Sequence, residues 1–225
     1  MSVVALKPFQ KAARAAHAWE REELDHYVEP TWIWERLFAR ASFRPGMSML
    51  DPACGFGRSV DAACRAGMRG HGSDVVPRWE SVTARPQGSF RVCDFLGGPW
   101  PPFVSPEWQR PDVVAMNPPF KQARAFVGRA LEISAGLVCA ILPSGYVQGR
   151  ANAAWLAGTP LLRVLFLCPR PSMPPGHVIL SGGKATSGKN EFAVFVWLKG
   201  YDGEPGLGHL LRDAPVPAPA IQAAE

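Results

Sequence analysis

A chain of 225 residues, 47% hydrophobic and 19% charged, has enough apolar material for one globular domain with a substantial core. Its net charge of +5 suits an anionic partner such as nucleic acid and equally an ordinary basic surface. No apolar run reaches the length of a membrane span, Lys7, Lys11, Arg14 and Glu20 interrupt the place of an export signal, and the five cysteines and five histidines lack CxxC, HxxxH or His–Cys pairing, which argues against membrane-spanning, exported, disulfide-framed and structural-zinc classes. The expected setting is the cytoplasm, with reduced and mostly buried thiols, no bound metal and no membrane partner.

Residues 1–29 form an Ala-rich N-terminal arm. Thr31 is placed to cap a helix from Trp32 to about Ala41, which Pro45-Gly46 ends. Ser48 to Leu50 is a short strand running into Asp51, and Gly57 to Ala66 a helix closed by Gly67. Strands follow from Arg69 to Ser73 and from Phe90 to Cys93, ending at Asp74 and Asp94, and another spans Asp112 to Met116. Helical spacing returns over Lys121 to Ser134. Leu137 to Leu142 is a buried strand, Val147 to Leu156 a short helix, and Leu161 to Leu167 and Phe192 to Leu198 are two more strands. Strands alternating with helices predict an α/β domain with a mostly parallel sheet. The main domain is assigned to 30–200, with a basic, Pro/Gly-rich loop at 169–190 that is either functional or disordered. Residues 201–225, Pro/Ala-rich from Asp213, are assigned to a flexible tail.

Two stretches carry chemistry. Asp51-Pro52-Ala53-Cys54-Gly55-Phe56-Gly57 joins the first strand to the next helix, and its glycines let a ligand approach the backbone at the carboxyl edge of the sheet. It has neither the third glycine of a dinucleotide fingerprint nor the lysine of a phosphate loop. Asp74, about twenty residues on, is spaced to receive ribose hydroxyls. Asp94 can accept from an adenine amine with Phe95 packed on the ring, and either aspartate can instead be a loop-starting residue. Together they outline an adenosine-shaped site. Asn117-Pro118-Pro119-Phe120 follows the strand ending at Met116. Two prolines stiffen the exit, an amide and a carbonyl offer acceptors to one amino group, and a ring can stack on its plane or return to the core.

The chain resembles the class I S-adenosylmethionine-dependent methyltransferases that act on amino groups of nucleic acids, in particular small phage and prophage DNA N6-adenine enzymes. Asp51 to Gly57 matches their DPxxGxG motif, and Asn117 to Phe120 their (N/D/S)PP(Y/F) motif, in the family's order and at about its separation. His26-Tyr27-Val28-Glu29-Pro30 is similar to the N-terminal segment that closes over the methionine end of the cofactor, and Glu191 to Trp197 to the last strand. The resemblance implies a doubly wound, Rossmann-like, seven-stranded sheet with its last strand antiparallel. It implies S-adenosylmethionine as cofactor, held by Tyr27, Pro30, Asp51, Pro52, Ala53, Cys54, Gly55, Gly57, Asp74, Val75, Asp94, Phe95 and Asn117. Within the catalytic turn, Asn117 and Pro118 would accept from the target amine, Pro119 would hold the turn and Phe120 would stack on the base. An Asn-first motif favours adenine N6 over cytosine N4. DNA is the implied partner, with RNA as an alternative. Lys121, Arg124 and Arg129 after the turn, and Arg170, Lys184 and Lys189 in the long loop, are placed to meet phosphates or to form a solvated basic face. Only the 169–190 loop is large enough for target recognition, which implies short or relaxed sequence recognition. A cytosine, ribosomal RNA or protein glutamine substrate, and a non-catalytic binding module, are the competing readings.

Overall fold

A computed structural model describes residues 26–81, 86–97, 110–183 and 190–214. Eight strands form one sheet: β1 (Ser48–Asp51), β2 (Arg69–Asp74), β3 (Ser89–Val92), β4 (Val113–Met116), β5 (Leu137–Pro143), β6 (Leu161–Cys168), β7 (Phe192–Leu198) and β8 (Gly206–Leu211). Their spatial order is β3-β2-β1-β4-β5-β7-β6-β8. Pairing is parallel across β3-β2-β1-β4-β5 and between β6 and β8, while β7 runs antiparallel to both β5 and β6. A single reversed strand in an otherwise parallel sheet accords with the doubly wound α/β architecture implied by the sequence.

Period-two alternation places the core. On β5, Leu137, Cys139 and Ile141 face one layer, where α1 (Trp32–Phe38) and α2 (Arg58–Arg65) contribute Ile33, Trp34, Leu37 and Val60. Val138, Ala140 and Leu142 face the other, against Phe126, Val127 and Ala130 of α3 (Ala123–Ile133) and Leu156 of α4 (Arg150–Ala157). Both faces of β4 and β5 are thus covered, which is why these strands read as unbroken apolar runs.

Three expectations need correction. The sheet has eight strands rather than seven. The extra one, β8, lies inside the stretch assigned to a flexible tail; its whole length pairs with β6 from Arg163 to Cys168, and Leu210 enters the core. Its glycines and its mostly exposed pattern hide it in the sequence. The 169–190 loop contains α5 (Gly176–Leu180), and Lys184 and Lys189 lie outside the described residues. Thr31 starts α1 through its backbone carbonyl, which accepts from Trp34 and Glu35, without a side-chain cap. Two cysteines, Cys54 and Cys139, are buried, and Cys168 is exposed. No helix among the described residues is long and apolar enough to cross a membrane.

Candidate active site

The carboxyl ends of β1, β2 and β4 converge on a cavity of about 450 Å³. In open parallel sheets this edge, beside the point where strand order reverses, is where ligands bind. Here β1 is followed in sequence by β2 on one side and flanked by β4 on the other.

The turn after β1 forms the cavity floor. Asp51 is buried, and its Oδ1 accepts from Ala53 N–H at 2.9 Å while Oδ2 accepts from the Ser59 hydroxyl. Burial pushes its carboxyl up to about 8, against the downward pull of those two bonds. Asp51 therefore shapes the turn from inside and does not line the cavity, nor does Gly57. Pro52, Ala53, Cys54 and Gly55 do. Gly55 and Gly57 have φ of 49° and 76°, values that L side chains rarely adopt. A Cβ on Gly57 would meet the Trp79 ring at 2.4 Å, and one on Gly55 the His26 ring at 2.6 Å. The motif's glycines are thus required by backbone conformation and by neighbouring rings.

The strand-end acids are already engaged. Asp74 Oδ2 accepts from Gly55 N–H at 2.9 Å, tying the turn to β2, while its Oδ1 accepts from Val76 N–H at 3.0 Å and pairs with Arg78 at 2.8 Å. Asp94 Oδ1 accepts from the N–H groups of Leu96 and Gly97, both at 3.0 Å. Both acids line the cavity with Val75, Phe95 and Phe126. Val75 is an apolar side chain left 57% exposed. Phe95 is almost wholly buried, its ring 5.4 Å from that of Phe126.

The wall opposite is Asn117 with a strap from far earlier in the chain. His26 O accepts from Gly176 N–H at 3.0 Å, Val28 N–H donates to Pro174 O at 2.8 Å, and Tyr27 bridges Pro175. The N-terminal segment is thereby stitched to the 169–183 segment just before and within α5. Asn117 Nδ2 donates to Tyr27 O at 2.9 Å and to Glu29 Oε2 at 3.0 Å. Tyr27 and Pro119 line the cavity; Pro30, Pro118 and Phe120 do not. The Phe120 ring lies 5.7 Å from that of Phe192, packed against the core.

Arg58 and Arg78 line the cavity without a role in the sequence reading, and His26 and Glu29 figured there only as part of the segment His26 to Pro30. Burial, then the charges of Arg78 and Arg58, lowers the His26 imidazole to about 4, so it is neutral at pH 7. Glu29 is pushed above the usual carboxylate range, chiefly by burial. Arg58 reaches across α2's N-terminus to donate to Glu29 O at 2.7 Å. A lone acid between Val28 and Pro30, at the entry to an apolar helix, was the available signal for Glu29.

The basic residues divide. Lys121 is exposed at the cavity rim. Arg124 is exposed and donates to Asn152 Oδ1 from Nε and Nη2, with its guanidinium 5.9 Å from the Trp155 ring. Arg170 pairs with Glu191, both well exposed. Arg129 turns inward, 5.6 Å over the Phe95 ring with a bond to Leu96 O, and so braces the Asp94 turn instead of facing phosphates. Among the described residues no group of three or more His, Cys, Asp or Glu is placed to hold a metal ion.

No family model matches the sequence, and no curated protein matches it significantly. Solved structures do match. A protein from Pyrococcus horikoshii described as an RNA methyltransferase superposes with a TM-score of 0.57 at 19% identity, covering 78% of this chain and 88% of that one. The chain shares the fold of that protein. The type I restriction-modification methyltransferase subunit from Streptococcus thermophilus shares that fold, with a TM-score of 0.52 at 16% identity over 76% of this chain and 43% of its own. A modification subunit of a type I restriction enzyme from Vibrio vulnificus YJ016 gives 0.56 at 13% identity, over 84% and 48%. This methyltransferase fold therefore spans less than half the length of the two type I subunits.

Proposed function

We propose that this chain transfers a methyl group from S-adenosylmethionine to the exocyclic N6 amine of adenine in DNA, in the cytoplasm and with short or relaxed sequence recognition. One observation carries the reading: both amide hydrogens of Asn117 are taken within the chain, which leaves its carbonyl oxygen as the end that can accept from a ligand in the cavity beside the glycine turn.

The lining fits the cofactor. Its volume is in the range of small-molecule sites, Asp74 and Asp94 are acceptors at two strand ends, and Val75, Phe95 and Phe126 supply apolar surface for a purine. Gly55 and its neighbours would hold the amino acid part. The cofactor supplies an electrophilic methyl group on a sulfonium.

The chain's own work is orientation. An exocyclic amine is a poor nucleophile because its lone pair is delocalised into the ring. Asn117 Oδ1 and the Pro118 carbonyl would hold the two amine protons, favouring a pyramidal nitrogen with its lone pair toward the methyl group. With the cofactor bound, its sulfonium would supply the methyl group to the amine nitrogen and leave as a neutral thioether, and one amine proton would pass to water. Positioning and fixed dipoles provide the acceleration, with no covalent enzyme intermediate. The base must leave its stack to reach this edge. Phe120 would have to exchange its contact with Phe192 for the flipped base.

RNA is the second reading, favoured by the name of one fold neighbour, the methyltransferase from Pyrococcus horikoshii. Nucleoside mass spectrometry on DNA and RNA from expressing and control cells separates the two. A rise in N6-methyladenine in DNA supports the proposal; a rise confined to RNA, or methylation of cytosine N4, overturns the substrate assignment.

A further inference from the structure

We infer that Glu29 is a positioning residue that fixes which end of the Asn117 carboxamide faces the reacting amine; the inference rests on the amine-methylation reading above. The two ends of an amide side chain have nearly the same shape, and only hydrogen-bond partners distinguish them. A flipped Asn117 would present an NH₂ donor to an amine that is itself a donor.

The chain opposes that flip with a main-chain carbonyl and a carboxylate, both acceptors, and an indole N–H that only donates. Tyr27 contributes a main-chain carbonyl, which only accepts, 2.9 Å from Asn117 Nδ2. Glu29 Oε2 takes the other amide proton at 3.0 Å. The second carboxylate oxygen, Oε1, accepts at 2.8 Å from the indole N–H of Trp34, which only donates. Trp34 is wholly buried on α1 and anchors the relay in the core. With Glu29 ionised, each partner from Trp34 through Asn117 to Tyr27 has one permitted direction, and that direction leaves Asn117 Oδ1 as the acceptor. Only a side chain accepting at both oxygens completes this relay. Glutamine has one acceptor and one donor end, so it satisfies Trp34 or Asn117 but not both.

The relay also explains why the strap is held so firmly. Its backbone is bonded to Pro174 and Gly176 on one side and, through Glu29 O, to Arg58 on the other. A positioning acid must itself be immobile, because slack of an ångström in such a support degrades the group it orients.

The test has two arms. In wild-type protein, side-chain NMR of Asn117, assigned by its loss in Asn117→Asp, is expected to show two inequivalent Nδ2 protons protected from solvent exchange. In Glu29→Gln that protection is expected to fall while the backbone amide spectrum is retained. Protons that exchange as in an exposed asparagine in the wild type overturn the inference, whether or not any variant folds. In the second arm, Glu29→Gln is expected to lower kcat by about 10–100-fold, the usual effect of removing such a supporting contact, and to lower cofactor affinity, read by calorimetry, by a much smaller factor. In Asn117→Ala the further change Glu29→Gln is expected to have little additional effect. Losses that multiply, or a cofactor affinity that falls in step with kcat, would assign Glu29 to general stability or to the cofactor, and overturn the inference. A wild type that shows the protected, Glu29-dependent amide but methylates neither DNA nor RNA would sink the amine-methylation reading and leave the orientation of the amide standing.

Discussion

The two walls of the cavity are built by different means. On the glycine-turn side the acids bond to backbone N–H groups a few residues away: Asp51 to Ala53, Asp74 to Val76, Asp94 to Leu96 and Gly97. On the Asn117 side the decisive contacts span 88 and 90 residues of sequence. The first wall is local geometry that a motif can specify. The second is assembled only by the fold, from a strand end, an N-terminal strap and the segment leading into α5. Binding and catalysis should therefore respond separately to substitution.

The sharpest way to break that division is Asn117→Ala. Losing one preorganised group at the reacting centre is expected to lower kcat by about 10²–10³-fold. Cofactor affinity, measured by calorimetry, should stay unchanged; if it collapses too, the walls are not separable.

Phe120→Leu probes the same wall more gently. Leucine retains an apolar contact with Phe192 but removes the aromatic face, and stacking a base on such a ring is worth about 1–3 kcal/mol. The Michaelis constant for nucleic acid should rise by a matching factor with the melting temperature nearly unchanged. If the melt drops and the kinetics do not, Phe120 belongs to the core alone.

Gly57→Ala tests the opposite wall. A left-handed φ of 76° disfavours alanine by about 1–2 kcal/mol, and the new Cβ must displace Trp79. Weaker cofactor binding is expected, with the turnover of saturated enzyme largely retained.

What the sequence revealed follows the same divide. The apolar runs of β4, β5 and β7 and the amphipathic α3 are written in residue type and period, and each appears in the structure within a residue or two of its expected bounds. Gly55 and Gly57 were legible because only glycine tolerates their backbone and neighbours. β8 was not: a half-exposed edge strand containing Gly206 and Gly208 has neither periodicity nor propensity, and its pairing with β6 alone defines it. Glu29 was not either. Its role depends on Trp34 and Asn117 arriving on opposite sides of one carboxylate, a coincidence of three elements that no local pattern encodes. The Asp74 spacing pointed to a strand end that lines the cavity, but not to Arg78, which already occupies one of its oxygens.

The smallest effect concerns Asp51, and it has a definite sign. Its folded carboxyl is raised from 3.8 to about 8, first by burial and further by the charges of Glu29 and Asp74. A carboxyl raised on folding makes the folded state bind more protons than the unfolded state, so its contribution to stability is complete below 3.8 and is lost as pH rises through about 8. His26 and His71 act in the opposite sense: lowered to about 4, they contribute stability that is lost as pH falls below 6.5. Between 6.5 and 8 the histidine contributions are level and the Asp51 contribution still declines. Thermal melts of the ligand-free protein should therefore fall across that window, by no more than about 1.4 kcal/mol per pH unit for one proton. Asp51→Asn cannot titrate, so its melts should be flatter over the same window. Parallel curves for the two proteins would mean that Asp51 is ionised in the fold, held as an anion by the turn it organises.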